Sequence, residues 1–254
     1  MNKEANEMED KQIMRTVLKE KSKKLDVLAF GAHPDDVEIG MAASIRKWTN
    51  RGIKVGICDL TYADLSSNGT VELRMQEALK ASEHLKIDTR IILGLKDRGL
   101  YLTEEAVMQV VEMIRYYQPT YVFMPYEIDR HPDHGNCSHI VKEALFSSKI
   151  KNYKPRLGEK WAVTESYSYM INGFHRPHFV IDVTETMDAK IKALQSYASQ
   201  FSNTKESVRT PLTDEYLETV LAREKLFGKE VSVSYAEGFM SERPLLFNPL
   251  EGNR

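Results

Sequence analysis

Between Leu25 and Tyr126 the chain alternates apolar runs with amphipathic ones, and that rhythm limits its possible folds more than any other feature. "LDVLAFGA" (25–32) carries few polar side chains, as a strand buried on both faces requires. Val37 to Arg51 then spaces Ile39, Ala42, Ala43, Ile45 and Trp48 along a helical face and stops at Gly52. "IKVGICDLT" reads as a second strand, Glu72 to Lys86 as a second helix and "TRIILGL" as a third strand. In "LTEEAVMQVVEMIRYY", Thr103 is placed to cap a helix whose apolar stripe runs through Val107, Val110, Val111 and Ile114. Pro119 ends that helix, and "TYVFMPY" is a fourth strand.

Strands and helices in this order predict βαβ units. The expected fold class is therefore α/β, a Rossmann-like, mainly parallel sheet flanked by helices. Past Lys151 the rhythm loosens into an elaborated C-terminal third. Strands are expected in "SYSYMIN", in "HFVIDVT" and near "VSVSYAE", with helices over Met187–Gln200 and Asp214–Phe227. No repeat or linker divides the chain, so residues 25–254 are expected to form a single domain. Residues 1–24 read as a charged leader, flexible or a frayed helix, with "IMRTVL" its only sticky part.

The charge balance, 35 Lys+Arg against 37 Asp+Glu, argues against a generic nucleic-acid or anionic-membrane binder, since both depend on basic excess. Two cysteines are too few for a disulfide framework and suit a reducing compartment. No apolar stretch approaches the roughly 18 residues that span a bilayer, and the leader lacks the apolar core of a secretory signal. A cytoplasmic location is expected.

Directly after the first strand comes "AHPDDVEIG", a histidine and two carboxylates within four residues. Like charges at neighbouring positions repel, and their burial adds a desolvation cost, so a positive partner is required. Parallel open sheets bind ligands at the carboxyl ends of their strands. The fourth strand is likewise followed by such a cluster, "DRHPDHGN". One His-Pro-Asp could be a turn with an Asx cap, but two at two strand ends point to a metal. His33, Asp36 and His134 offer two imidazoles and a carboxylate, the three-ligand pattern with an open position that catalytic zinc uses. Iron, cobalt or manganese also accept such donors.

These strings resemble the LmbE-like zinc deacetylases, the superfamily of N-acetylglucosaminyl-phosphatidylinositol de-N-acetylase. Together with "VGICDLTYADLSSNGTVELR", "LGLKDRGL", "INGFH" and "AREKLFGKEVSVSYAEGF", they resemble most the bacillithiol-biosynthesis branch, over about Leu25 to Phe239. The resemblance implies removal of acetate from N-acetylglucosaminyl-malate, or from another small N-acetylglucosamine compound. It also implies a homo-oligomer, with a hexamer as the expectation. By the family pattern, Asp35 is the general base, His131 stabilises the oxyanion, Asp133 orients the His131 ring, and Arg74 reaches into the pocket to grip a substrate carboxylate. From the residues themselves, Arg130 is a second candidate for an anionic group, Asp97 for sugar hydroxyls and His175 for a substrate contact. Ser66 to Gly69 form a polar rim or lid.

Three rivals are weaker. A dinucleotide binder would need G-x-G-x-x-G after the first strand, where carboxylates stand instead. A two-metal phosphoesterase would need more bridging carboxylates. A non-catalytic metal scaffold would have no use for Asp35 and His131 beside three ligands.

Overall fold

The computed structural model describes residues 16–154, 157–203 and 207–246. Its strands are β1 (Thr16–Glu20), β2 (Val27–Gly31), β3 (Val55–Thr61), β4 (Thr89–Leu95), β5 (Tyr121–Pro125), β6 (Glu165–Tyr169), β7 (Phe179–Asp182) and β8 (Ala236–Ser241). They form one sheet in the order β1-β4-β3-β2-β5-β6-β8-β7. The run β4-β3-β2-β5-β6 is parallel, while β1, β8 and β7 each join it antiparallel to a neighbour. The helices among the described residues are α1 (Asp36–Thr49), α2 (Val71–Leu85), α3 (Glu104–Tyr117), α4 (Pro132–Ser148), α5 (Met187–Gln195), α6 (Ala198–Phe201) and α7 (Tyr216–Glu230). None is long and apolar enough to cross a membrane.

The continuous apolar character of β2 follows from its two covered faces. Leu28 and Phe30 pack with Val110, Ile114, Ile140 and Val141 of α3 and α4. Val27 and Ala29 face the opposite layer, against Ile45, Ala78, Ala81 and Leu194 of α1, α2 and α5. Alternate residues of one strand thus feed two cores. The Thr103 side chain accepts a hydrogen bond from the Ala106 N–H, the expected cap of α3.

Four expectations need correction. Thr16–Glu20, inside the expected leader, is an edge strand on β4, with Leu18 packed against the core; residues 1–15 lie outside the described residues. The lysine at position 19 leaves that edge charged, as solvent-facing edges usually are. The last strand starts at Ala236, because 231–235 is taken up by turning back from α7. The helix expected over Met187–Gln200 breaks at Ser196–Tyr197, where the buried Tyr197 hydroxyl donates to Glu38 at 2.8 Å. The helix expected over Asp214–Phe227 runs instead from Tyr216 to Glu230.

Helix α1 is kinked: Met41 has φ −150° and ψ 20°. A side chain at Gly40 would run into the Tyr169 ring from β6. Past the kink, the Ala43 and Ser44 amides donate to the Glu237 carboxylate of β8 at 3.1 and 2.7 Å. Lys190 of α5, fully buried, holds Glu237 at 2.7 Å and Glu224 of α7 as well.

From β2 the chain builds outward through β3 to β4 on one side, and β5 starts the other side next to β2. The crevice at such a switch point lies between the carboxyl ends of β2 and β5. Both His-Pro-Asp tripeptides are delivered there.

Candidate active site

After β2 the chain turns through His33-Pro34 and enters α1, whose N-cap is Asp35. Asp35 has φ 123° and ψ −23°, a region that only glycine visits freely, and its side chain makes no capping bond. After β5, α4 begins at Pro132, a residue pre-shaped for a first helical position. Here His131 is the cap, its Nδ1 accepting the Asp133 N–H at 3.3 Å.

Asp36 is the centre of the cluster. Its Oδ2 lies 3.5 Å from His33 Nδ1 and its Oδ1 lies 3.1 Å from His134 Nε2. The second nitrogen of each ring meets an outer carboxylate. His33 Nε2 is 3.3 Å from Asp97 and 3.7 Å from Asp133, and His134 Nδ1 is 3.0 Å from Asp129. The ring nitrogens of His33, His131 and His134 also lie within 4.8 Å of one another. His33, Asp36 and His134 are all buried.

Burial alone would push both histidines down, but the surrounding carboxylates outweigh it. Asp133, Asp36 and Asp97 hold His33 well above the ordinary range, and Asp36 and Asp129 bring His134 to about 9. Burial would likewise raise Asp36, yet His134 and His33 hold it well below its usual value. The cluster thus demands positive charge. A divalent cation meets the same demand with the imidazoles neutral, so the donor set fits a metal, each imidazole backed by an outer carboxylate.

Asp35 is buried in a different environment. Desolvation raises its pKa to about 7 against the pull of Arg74, with Asp36 adding to the rise. Arg74 donates to Asp35 Oδ2 at 3.0 Å, to the Pro34 carbonyl at 2.8 Å and to Ser66 Oγ at 3.0 Å. Asp35, Ser66 and Arg74 line a cavity of about 470 Å³, with Arg98, Arg130, His131, Asn172 and Gln200 also on its wall.

The structure redistributes several expected roles. Asp133 meets the His131 ring through its backbone N–H, while its carboxylate lies beside His33 and accepts the Arg98 backbone N–H at 2.8 Å. Desolvation, with His134 and His33 nearby, lowers His131. Asp97 lines the cavity, and there it also meets His33 and accepts the Leu65 N–H, contacts that outweigh its burial and hold its pKa at about 2. Arg74 faces the cavity but is already ion-paired to Asp35. Arg130 is exposed on the cavity wall without an ion pair among the described residues. His175 stacks edge-on against Tyr126 and is not among the cavity-lining residues.

Two residues went unread in the sequence. Asp129 backs His134, and Asn172 donates to Asp129 from its backbone and its side chain at 3.0 and 2.9 Å. Both lie in strings that carried the resemblance: Asp129 heads "DRHPDH", and Asn172 sits in "INGFH", three residues before His175.

With that geometry in place, the comparisons with known proteins converge. The family model for GlcNAc-PI de-N-acetylase, PIG-L, matches residues 28–145. The conserved protein TT1542 from Thermus thermophilus superposes with a TM-score of 0.81 at 31% identity, covering 89% of this chain and 98% of that one. The chain belongs to the PIG-L family of de-N-acetylases. It is a metal-dependent amide hydrolase. Among its PIG-L relatives, diacetylchitobiose deacetylase of Thermococcus kodakarensis is 29% identical over 225 residues, 84% of this chain and 81% of that protein. Probable N-acetyl-alpha-D-glucosaminyl L-malate deacetylase 2 of Bacillus subtilis is 27% identical over 187 residues, 68% and 82%. Both named substrates contain N-acetylglucosamine, and identity does not separate them.

Proposed function

We propose that this PIG-L enzyme removes the acetyl group from N-acetylglucosaminyl-malate, with zinc held by His33, Asp36 and His134. The observation that carries the substrate choice is the cavity wall. It presents three arginines, of which Arg74 and Arg98 have acidic partners while Arg130 stands exposed with none among the described residues. A dianionic aglycone suits such a wall, and a neutral disaccharide leaves it unanswered.

When bound, a divalent cation supplies Lewis acidity at the cluster. The chain's own residues do the rest. Asp35, its carboxylate aimed by Arg74, takes a proton from the attacking water as the water oxygen joins the acetyl carbon. His131 keeps its proton on Nε2, because Nδ1 accepts the Asp133 N–H, so a neutral imidazole donates to the carbonyl oxygen as charge develops there. Asp35 then passes its proton to the departing nitrogen, the carbon–nitrogen bond breaks, and acetate and a free amine leave. Asp97, Asp133 and Asp129 fix the two ligand rings from behind.

The test compares amine release from N-acetylglucosaminyl-malate, diacetylchitobiose and free N-acetylglucosamine. Wild type should prefer the malate glycoside. Arg130→Ala should lose about tenfold or more in kcat/KM on that substrate and little on the neutral ones, the scale of losing one charged contact. Arg74→Lys should lose comparably on all three, since it acts through Asp35. Faster turnover of diacetylchitobiose than of the malate glycoside by the wild-type enzyme would sink the substrate assignment.

A further inference from the structure

Thr210, Pro211 and Leu212 line the same cavity, although they come from the loop before α7. The hydrogen bonds around them close locally. Thr213 Oγ accepts the Thr210 N–H at 2.9 Å and donates to the Thr210 carbonyl at 3.0 Å, and Arg209 pairs with Asp214. This segment also meets the loop before α2 through a pair of hydrogen bonds that tie the two together.

That tie is Asn68. Its side-chain amide donates to the Val208 carbonyl at 2.9 Å, and its side-chain oxygen accepts the Val208 N–H at 2.8 Å, so one residue satisfies both backbone groups of its partner. The Asn68 carbonyl in turn accepts from Gln200 Nε2 at 2.8 Å, and Gln200 Oε1 accepts from Ser66 Oγ at 3.1 Å. Ser66 and Gln200 line the cavity and Asn68 does not. Two side chains of the wall are therefore linked through Asn68 to the segment that supplies three more.

We infer that Asn68 is a clasp that holds 207–213 as part of the cavity wall and thereby sets the preference for a glycoside over the free sugar. The inference rests on the reading that the cavity takes an N-acetylglucosamine glycoside. The acetamido group belongs at the histidine cluster, so a glycosidic substituent must lie against the remaining lining, to which the strap contributes Thr210, Pro211 and Leu212. A monosaccharide has no atoms to place there.

Two readouts on metal-loaded Asn68→Ala decide it. Losing two hydrogen bonds to the strap should raise KM for the malate glycoside and for diacetylchitobiose about tenfold, with kcat and the rate on free N-acetylglucosamine changed less than about threefold. Tryptic cleavage after the exposed Arg209, followed by mass spectrometry, should accelerate about fivefold or more as the strap opens. Asn68→Asp keeps the acceptor for the Val208 N–H and loses the donor, and should fall between. Unchanged cleavage, or an equal loss on glycosides and free sugar, overturns the clasp. If wild type releases amine from none of the three substrates, the functional reading fails instead, and the cleavage rate still decides the clasp.

Discussion

His33-Pro34-Asp35 and His131-Pro132-Asp133 are the same three residues after neighbouring parallel strands, but the helix begins at a different place in each. Helix α1 starts at Asp36, beyond the first tripeptide, whereas α4 starts at Pro132, inside the second. In the first copy both His33 nitrogens are left for carboxylates, and Asp35 is forced to φ 123° with its carboxylate on Arg74. In the second, His131 commits Nδ1 to the helix cap, and Asp133 swings its carboxylate to His33. The residues we assign to the metal beside His33, namely Asp36 and His134, both sit in a first helical turn. Role follows position relative to the helix start, not membership of the motif.

Deleting each second-cluster histidine in turn is the severest test of that contrast. His134→Ala should purify without bound metal and without activity. His131→Ala should keep its metal and lose on the order of 10²–10³ in kcat, the scale for one oxyanion donor. Elemental analysis of both proteins checks it; a metal-free His131→Ala would make His131 a ligand and erase the distinction.

The two aspartates should separate next. Asp35→Asn should hold metal normally and lose on the order of 10²-fold or more in rate. Asp133→Asn should instead weaken metal binding about 10- to 100-fold, with kcat largely recovered when metal is supplied in excess. A metal titration of activity distinguishes the pair, and matching titration curves would refute their different roles.

The smallest effect is on stability. Glycine adopts the Asp35 backbone without strain, and Arg74 keeps its bonds to Pro34 and Ser66. Asp35→Gly and Asp35→Ala should both abolish turnover, and both leave the buried Arg74 without its acidic partner, but the glycine variant should unfold about 2–4 °C above the alanine one, the scale of roughly 1 kcal/mol of backbone strain. At Asp133, inside a helical first turn, the order should reverse, with Asp133→Gly below Asp133→Ala. Thermal unfolding of the four variants is the measurement, and equal Tm for Asp35→Gly and Asp35→Ala would mean the backbone there is not strained.

Much of the central fold was readable because β2 to β5 and α1 to α3 each repeat a period set by two covered faces or one apolar stripe. Thr103 and Gly52 marked boundaries by local chemistry alone. Helix α4 carries no such stripe: its buried positions include Ser138, Ser147 and Ser148 beside Ile140 and Val141. Edge strand β1 is short and half-exposed, so no alternation marks it within a charged segment. At the site, His33, Asp36 and His134 announced themselves by residue type and spacing. The contacts of Asp97, Asp129 and Asn172 were not legible, because they depend on which ring nitrogen or carboxylate each meets across the fold. Arg74 shows the same limit: the family resemblance suggested a grip on substrate, and the 3.0 Å approach to Asp35 that gives it an acidic partner within the protein appears only in the fold.

The kink in α1 bears on the order in which the molecule can be made. Every residue assigned to the metal or to proton transfer lies before residue 135, but the helix that carries Asp36 is completed by Glu237. A nascent chain that has emerged only as far as α5 already holds every residue assigned to the metal or to proton transfer. It also holds two amide donors of α1 and the buried ammonium of Lys190 without their Glu237 acceptor, and unmet groups of that kind each cost of order 1–3 kcal/mol or more. The ribosome therefore delivers the residues we assign to the chemistry early and the strand that locks α1 late. Until β8 is threaded between β6 and β7, the half-made chain carries Asp36 on a helix that has not yet set.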